Sequence, residues 1–149
     1  FLKQILTIIL TETVREDEGG AYSVKVVGSL KEYPEKYGII QIQLPTAPDK
    51  QERMSDIIYK EIDKLVENGP KEEDLQKVRE YVLRSYDENI KTNSYWLNAI
   101  VSKVMEGKDV VNGYTETVNA ITKEDIQETA RKIFRSGNHL TIGMTAPAE

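Results

Sequence analysis

Apolar positions along the chain follow two periodicities, and the switches between them divide it into elements. Leu2, Ile5, Leu6 and Ile9 are spaced by three and four, which puts one apolar stripe on a first helix. From Tyr22 the spacing becomes two. Tyr22, Val24 and Val26 alternate with Ser23 and Lys25, the pattern of a half-buried strand. Ile40, Ile42 and Leu44 repeat it against Gln41 and Gln43, predicting a second strand from Ile39 to Leu44 that Pro45 and Pro48 end. Gly28-Ser29-Leu30, Tyr33-Pro34 and Tyr37-Gly38 fall between the two strands and predict a loop, so the pair reads as a hairpin with one buried face.

Helical spacing then returns for most of the chain. Asp49 with Glu52 resembles a capping box, and Met54, Ile57, Ile58, Ile62, Leu65 and Val66 form the stripe behind it. Asn68-Gly69-Pro70 stops that helix. Glu72, Glu73 and Asp74 suit the first turn of a third helix, with Leu75, Val78, Val82, Tyr86 and Ile90 on its apolar face and Lys77, Arg84 and Glu88 opposite. A fourth helix begins near Asn93-Ser94, carries Trp96, Leu97, Ile100, Val101, Val104 and Met105, and ends near Gly107. Trp96 and the helical methionines Met54 and Met105 are expected in the core. A shorter helix is expected from Asn112 to Ala120. Thr122 with Asp125 caps a last one, which buries Ile126, Ala130, Ile133 and Phe134. After the turn Ser136-Gly137-Asn138, Leu140, Ile142 and Met144 alternate as a closing strand. Helices segregated from a mostly antiparallel sheet make this an α+β fold, a single domain over residues 1–149 with several helices on one side of the sheet.

Composition narrows the chemistry. A chain of 149 residues can bury a core without staples. It has no cysteine, which excludes disulfides, thiolate metal sites and a cysteine nucleophile. The net charge of −5 argues against nucleic acid, whose phosphates require a basic face. No apolar run approaches the length of a membrane span. The chain opens on Phe1, inside a helical pattern, and is expected to be a fragment of a larger protein. His139 is the only histidine, set at a turn without a nucleophile motif, and reads as a surface residue. Gly19-Gly20 lacks the surroundings of a phosphate loop. The chain contains no complete active site.

One junction stands out. Val14-Arg15-Glu16-Asp17-Glu18-Gly19-Gly20-Ala21-Tyr22 ends the first helix, turns on glycines and enters the first strand. Glu16, Asp17 and Glu18 lie at the expected helix C-terminus, where the macrodipole disfavours each negative charge by about 0.3–1 kcal/mol, and Arg15 is the only cation beside them. A frayed, solvated helix end accounts for this run; a local partner or a functional use is the other reading.

Arg15-Glu16, the glycines and Tyr22-Ser23 resemble a signature of the insulinase/pitrilysin family of zinc peptidases, with the family's seven-position step from arginine to tyrosine. The similarity continues through Leu44-Pro45 and Pro48, the Leu65–Leu75 connection, Ile121–Phe134, and Ile142-Gly143-Met144 with Pro147. The resemblance implies the C-terminal, Arg/Tyr-bearing domain of a bacterial-type zinc metalloendopeptidase, lacking the first strands of that domain. In such peptidases zinc and a general-base glutamate come from a His-x-x-Glu-His helix in another domain or subunit, and no such motif occurs here. The parent would then require zinc, while this fragment binds no metal and is inactive alone. Carried over, Tyr22 donates to the scissile carbonyl as charge builds on its oxygen, and Arg15 holds the substrate backbone or polarises that oxygen. Gly19 and Gly20 serve the turn and allow close approach of the peptide, and Gly20 and Ala21 join Arg15 and Tyr22 as the implied substrate-binding residues. The implied partners are the zinc-bearing domain or subunit and a peptide substrate; the implied compartment is the periplasm. The alternative is a scaffold or assembly subunit that keeps the fold without proteolysis. A third reading is a generic α+β binding domain in which the Arg-to-Tyr spacing is coincidence.

Overall fold

The computed structural model describes residues 1–16, 23–31 and 34–144, with Arg15 and Glu16 described by their backbone alone. Its elements are α1 (Leu2–Glu16), β1 (Lys25–Lys31), β2 (Tyr37–Gln43), a 3-10 turn (Pro48–Lys50), α2 (Gln51–Asn68), α3 (Glu72–Asn89), α4 (Asn93–Glu106), α5 (Tyr114–Ala120) and α6 (Lys123–Phe134). This is the α+β arrangement expected, an antiparallel pair of strands accompanied by helices.

The core is built around α1. Ile5, Leu6 and Leu10 are wholly buried, and α1 packs against β1, α2, α3 and α6. Leu65 and Val66 of α2, Leu75 and Val78 of α3, and Ile126 and Ala130 of α6 close around it. Each comes from the apolar stripe of its helix, so the 3.6-residue period translates directly into packing.

β1 and β2 pair antiparallel from Lys25 opposite Gln43 to Lys31 opposite Tyr37. Val26, opposite Ile42, is buried against the helices, whereas Gly28 to Lys31 are exposed. The strand therefore extends past its buried base and takes in Gly28-Ser29-Leu30, which the apolar spacing assigns to the loop. Gly28 fits because a Cβ there would lie 3.1 Å from Ile40 Cδ1.

Side chains of α6 secure the end of α2. Gln127 Nε2 donates to the carbonyls of Val66 (3.1 Å) and Glu67 (2.7 Å), two acceptors that the helix itself leaves open. Gly69 follows at φ 72°, ψ 178°, a conformation essentially reserved for glycine, and turns the chain into α3. The Thr122 box at the start of α6 forms as expected: Thr122 Oγ1 accepts from the Asp125 backbone N–H, and the Asp125 carboxylate accepts from that of Thr122.

The structure corrects three expectations. Asp49 does not cap α2; it lies in the 3-10 turn that Pro48 opens, and α2 begins at Gln51 without a side-chain cap. Leu140, Ile142 and Met144 form no strand, because the segment pairs with neither β1 nor β2. It runs along α2 instead, where the Thr141 hydroxyl is hydrogen-bonded to the Tyr59 hydroxyl and the His139 ring meets the Tyr59 ring edge-on. Its apolar side chains point outward, Leu140 82% and Met144 92% exposed. Finally, Met54 is buried in the core but Trp96 and Met105 are not: they are 45% and 69% exposed on α4, whose apolar stripe faces away from α1 and its neighbours.

Candidate functional site

The candidate site is the junction between α1 and β1. Val14, in the last turn of α1, is 3% exposed, and Val26, near the start of β1, is 4% exposed. α1 and β1 also pack on one another, so the helix end and the strand start that flank the junction are both anchored. Arg15 follows Val14 directly and has helical backbone. Ser23 and Val24 lead into β1, Ser23 exposed and Val24 half-buried. Gly20, Ala21 and Tyr22, like Asp17, Glu18 and Gly19, lie outside the described residues. Of the predicted site residues, therefore, only Arg15 is placed, and by its backbone.

The hairpin adds a property of its own. β1 pairs only with β2 among the described residues, so its other edge has no strand beside it among them. Such an edge can accept an extended peptide as a further strand.

Other polar groups show local structural roles. Asp74, read from sequence as an ordinary helix-start carboxylate, is 1% exposed in the first turn of α3, with Lys77 Nζ 3.4 Å away. Helix-start position gave a reason for its charge but no signal of its burial. Arg79 was not singled out by the pattern. Its guanidinium donates to the Ile121 carbonyl at 2.8 Å and to Gln76 Oε1 at 2.7 Å, tying α3 to the start of α6. Tyr86 stacks on Tyr114 at 4.3 Å between ring centroids and meets Tyr95 edge-on at 5.9 Å. Burial raises the Tyr95 and Tyr114 hydroxyls above their ordinary titration range, and the neighbouring Tyr86 adds to it. Backbone N–H groups of Asn112 and Val111 hold the Asp109 carboxyl well below the usual carboxylate range. These contacts order the α4–α5 connection.

Zinc does not fit the described residues. His139 is the single imidazole of the chain, and no group of three or more histidine, aspartate or glutamate side chains converges as a metal site among them. A tetrahedral catalytic zinc takes three protein ligands, commonly with histidine among them.

The described part of the junction is thus an Arg-bearing helix end and a strand that pairs only with β2 among the described residues. Residues 1–82 match the model described as the peptidase M16 inactive domain, and the chain belongs to the M16 peptidase family. The expected family and the expected C-terminal, non-catalytic type of domain are both borne out. The chain is 26% identical over 106 residues to a zinc protease PQQL-like protein of Arabidopsis thaliana, a match that covers 68% of this chain and 11% of that protein. Its fold is similar to that of the periplasmic protease PqqL from Escherichia coli (TM-score 0.72, 19% identity, 88% of this chain and 15% of that one). A protease from Helicobacter pylori gives a TM-score of 0.70 at 12% identity, over 89% of this chain and 34% of that one. The ferredoxin protease FusC, solved as a mutant in complex with Arabidopsis ferredoxin, gives 0.70 at 14% identity, over 89% of this chain and 15% of that one. The 149 residues thus span between 11% and 34% of the lengths of these relatives.

Among the described residues no helix is long and apolar enough to cross a membrane.

Proposed function

We propose that this chain is the substrate-binding domain of a zinc-dependent endopeptidase, with Arg15 and Tyr22 entering a cleft whose zinc and general base belong to another domain or subunit. The observation that carries the reading is the Arg15-to-Tyr22 spacing across the α1–β1 junction of an M16 inactive domain. Tyr22, a neutral phenol, donates to the scissile carbonyl oxygen and tightens as negative charge develops there. Arg15, a permanent cation with forked donors, holds the substrate backbone beside it. Gly20 and Ala21 leave room for the peptide, which extends along the open edge of β1. Residues 1–149 act as one domain and are inactive alone, because a sequence with one histidine has no His-x-x-Glu-His motif to hold zinc. By likeness to the periplasmic relative, the parent works in the periplasm.

The test is cleavage of a quenched fluorescent peptide by the zinc-bearing remainder of the parent, with and without residues 1–149. The reading predicts cleavage only in the mixture. Equal cleavage by the remainder alone refutes it. The family model's description as an inactive domain favours one second reading, a scaffold that keeps the fold without proteolysis. A mixture that holds zinc, assembles and cleaves nothing places that reading first.

A further inference from the structure

Asparagine precedes glycine at two places in the chain, Asn68-Gly69 and Asn112-Gly113. Glycine carries no side chain beside its nitrogen and turns freely, so that nitrogen can reach the amide carbon of the asparagine before it. The fold treats the two pairs differently. Both asparagines are exposed, but Asn68 is the last residue of α2, and the Gly69 N–H donates to the Leu65 carbonyl at 3.0 Å. Gln127 holds the Val66 and Glu67 carbonyls as well, so the Gly69 nitrogen is released only when the helix end opens. Asn112 and Gly113 lie instead in the turn between α4 and α5. The Gly113 N–H makes no backbone hydrogen bond among the described residues, and a Cβ on Gly113 would find no atom within 4 Å. The turn is centred on Asp109. Its Oδ1 accepts from the backbone N–H groups of Val111 (3.1 Å) and Asn112 (3.0 Å), and its Oδ2 from Asn112 Nδ2 (2.8 Å). Lys103 pairs with the same carboxylate at 3.1 Å.

We infer that Asn112 is a site of spontaneous deamidation, and that the carboxylate it gains opens the turn between α4 and α5. The Gly113 nitrogen gives its proton to solvent and attacks Asn112 Cγ. The N–Cγ bond forms, the Cγ–Nδ2 bond breaks, and ammonia leaves with a proton taken from water. Water then adds to the resulting succinimide at either carbonyl. Opening at Cγ gives aspartate; opening at the main-chain carbonyl gives isoaspartate, which routes the backbone through Cβ. Either product removes the Nδ2 donor and brings a second negative charge to hydrogen-bonding distance of Asp109, so that Lys103 must serve two carboxylates. The lengthened backbone of isoaspartate also displaces Gly113, whose φ of 71° leads into the first turn of α5. α5 carries Tyr114, stacked on Tyr86 of α3, and the buried Val118, so the change reaches the packing of α5 on α3. The inference does not depend on the roles given to Arg15 and Tyr22.

The experiment incubates the full-length polypeptide in neutral buffer made with heavy-oxygen water and follows the peptides that contain Asn68 and Asn112 by mass spectrometry. Each new carboxylate takes one oxygen from solvent, which separates conversion during the assay from earlier damage. The urea-unfolded chain, where neither pair is constrained, sets the reference rate. In the folded chain Asn112 should convert at least about 10-fold faster than Asn68, whose helix end must open first, and should yield both aspartate and isoaspartate. Equal rates at the two sites overturn the inference, as does an Asn112 that stays intact while the unfolded chain converts. The effect on the turn is read by hydrogen exchange in the Asn112→Asp variant of the full-length polypeptide. The backbone amides of residues 111 and 112 should exchange at least about fivefold faster than in the unsubstituted chain, because their hold on Asp109 loosens. Unchanged exchange overturns the claim that the new carboxylate opens the turn.

Discussion

Replacing the same side chain at two positions, Leu6→Ala and Leu97→Ala, tests whether burial has been assigned to the right helix faces. Leu6 is wholly buried on α1, which is enclosed by β1, α2, α3 and α6. Removing three methyl or methylene groups from it forfeits about 2.4 kcal/mol of transfer free energy. The enclosing elements cannot collapse fully into the space, so a residual cavity adds about 1–2 kcal/mol. The expected loss for Leu6→Ala is about 3–4 kcal/mol. Leu97 is 63% exposed, so only about a third of its burial free energy is at stake. Alanine's better helix propensity offsets a few tenths of that. The expected loss for Leu97→Ala is about 0.5 kcal/mol in residues 1–149. Urea unfolding of residues 1–149, followed by far-ultraviolet circular dichroism, measures both. The midpoint should fall steeply for Leu6→Ala and hardly for Leu97→Ala, with an unchanged slope. A loss at Leu97 equal to that at Leu6 would refute the placement of α4.

Two further outcomes follow from local geometry. Gly69→Ala should cost about 1–3 kcal/mol, because φ 72° with ψ 178° is closed to side-chain-bearing residues; the same urea titration reads it. Thr122→Ala should cost about 1 kcal/mol through loss of the α6 cap. In the intact box the backbone and hydroxyl of Thr122 hold the Asp125 carboxyl below its ordinary value of 3.8. A depressed folded value means that the stabilisation is complete above the unfolded titration and disappears as pH falls through the folded one. Carboxyl-carbon NMR should therefore place the Asp125 midpoint below 3.8, and Thr122→Ala should move it back up.

The legibility of the chain follows the reach of each signal. Signals whose cause lies within a few residues were readable. Asn68-Gly69-Pro70 ends α2 because Gly69 alone can adopt the turn, and the Thr122–Asp125 box closes on itself. The stripe of α1 was readable too, because what buries it lies in the same domain. Periodicity tells which residues favour burial, but not what covers them. Trp96 and Met105 on α4, and Leu140 and Met144 after α6, carry the correct patterns and remain exposed because nothing among the described residues packs on them. The closing strand failed for the related reason that a strand requires a neighbour's backbone, and both edges of the hairpin leave residues 140–144 unpaired. Asp49 competed with Pro48, which opened a 3-10 turn before the helix could start. For the site, the family and the domain type were legible from the Arg15-to-Tyr22 spacing, and the match over residues 1–82 supports both. The burial of Asp74 was not legible, since it depends on how α3 is set against its neighbours.

The most direct test of the central claim is the turnover of Tyr22→Phe in the full-length parent, with folding and zinc content matched to the unsubstituted enzyme. The substitution removes one hydroxyl and leaves the aromatic ring. A donor that tightens on the developing oxyanion predicts a fall in kcat of about 10²–10³ with little change in KM. Cleavage at the unsubstituted rate would contradict the account and leave Tyr22 a structural aromatic.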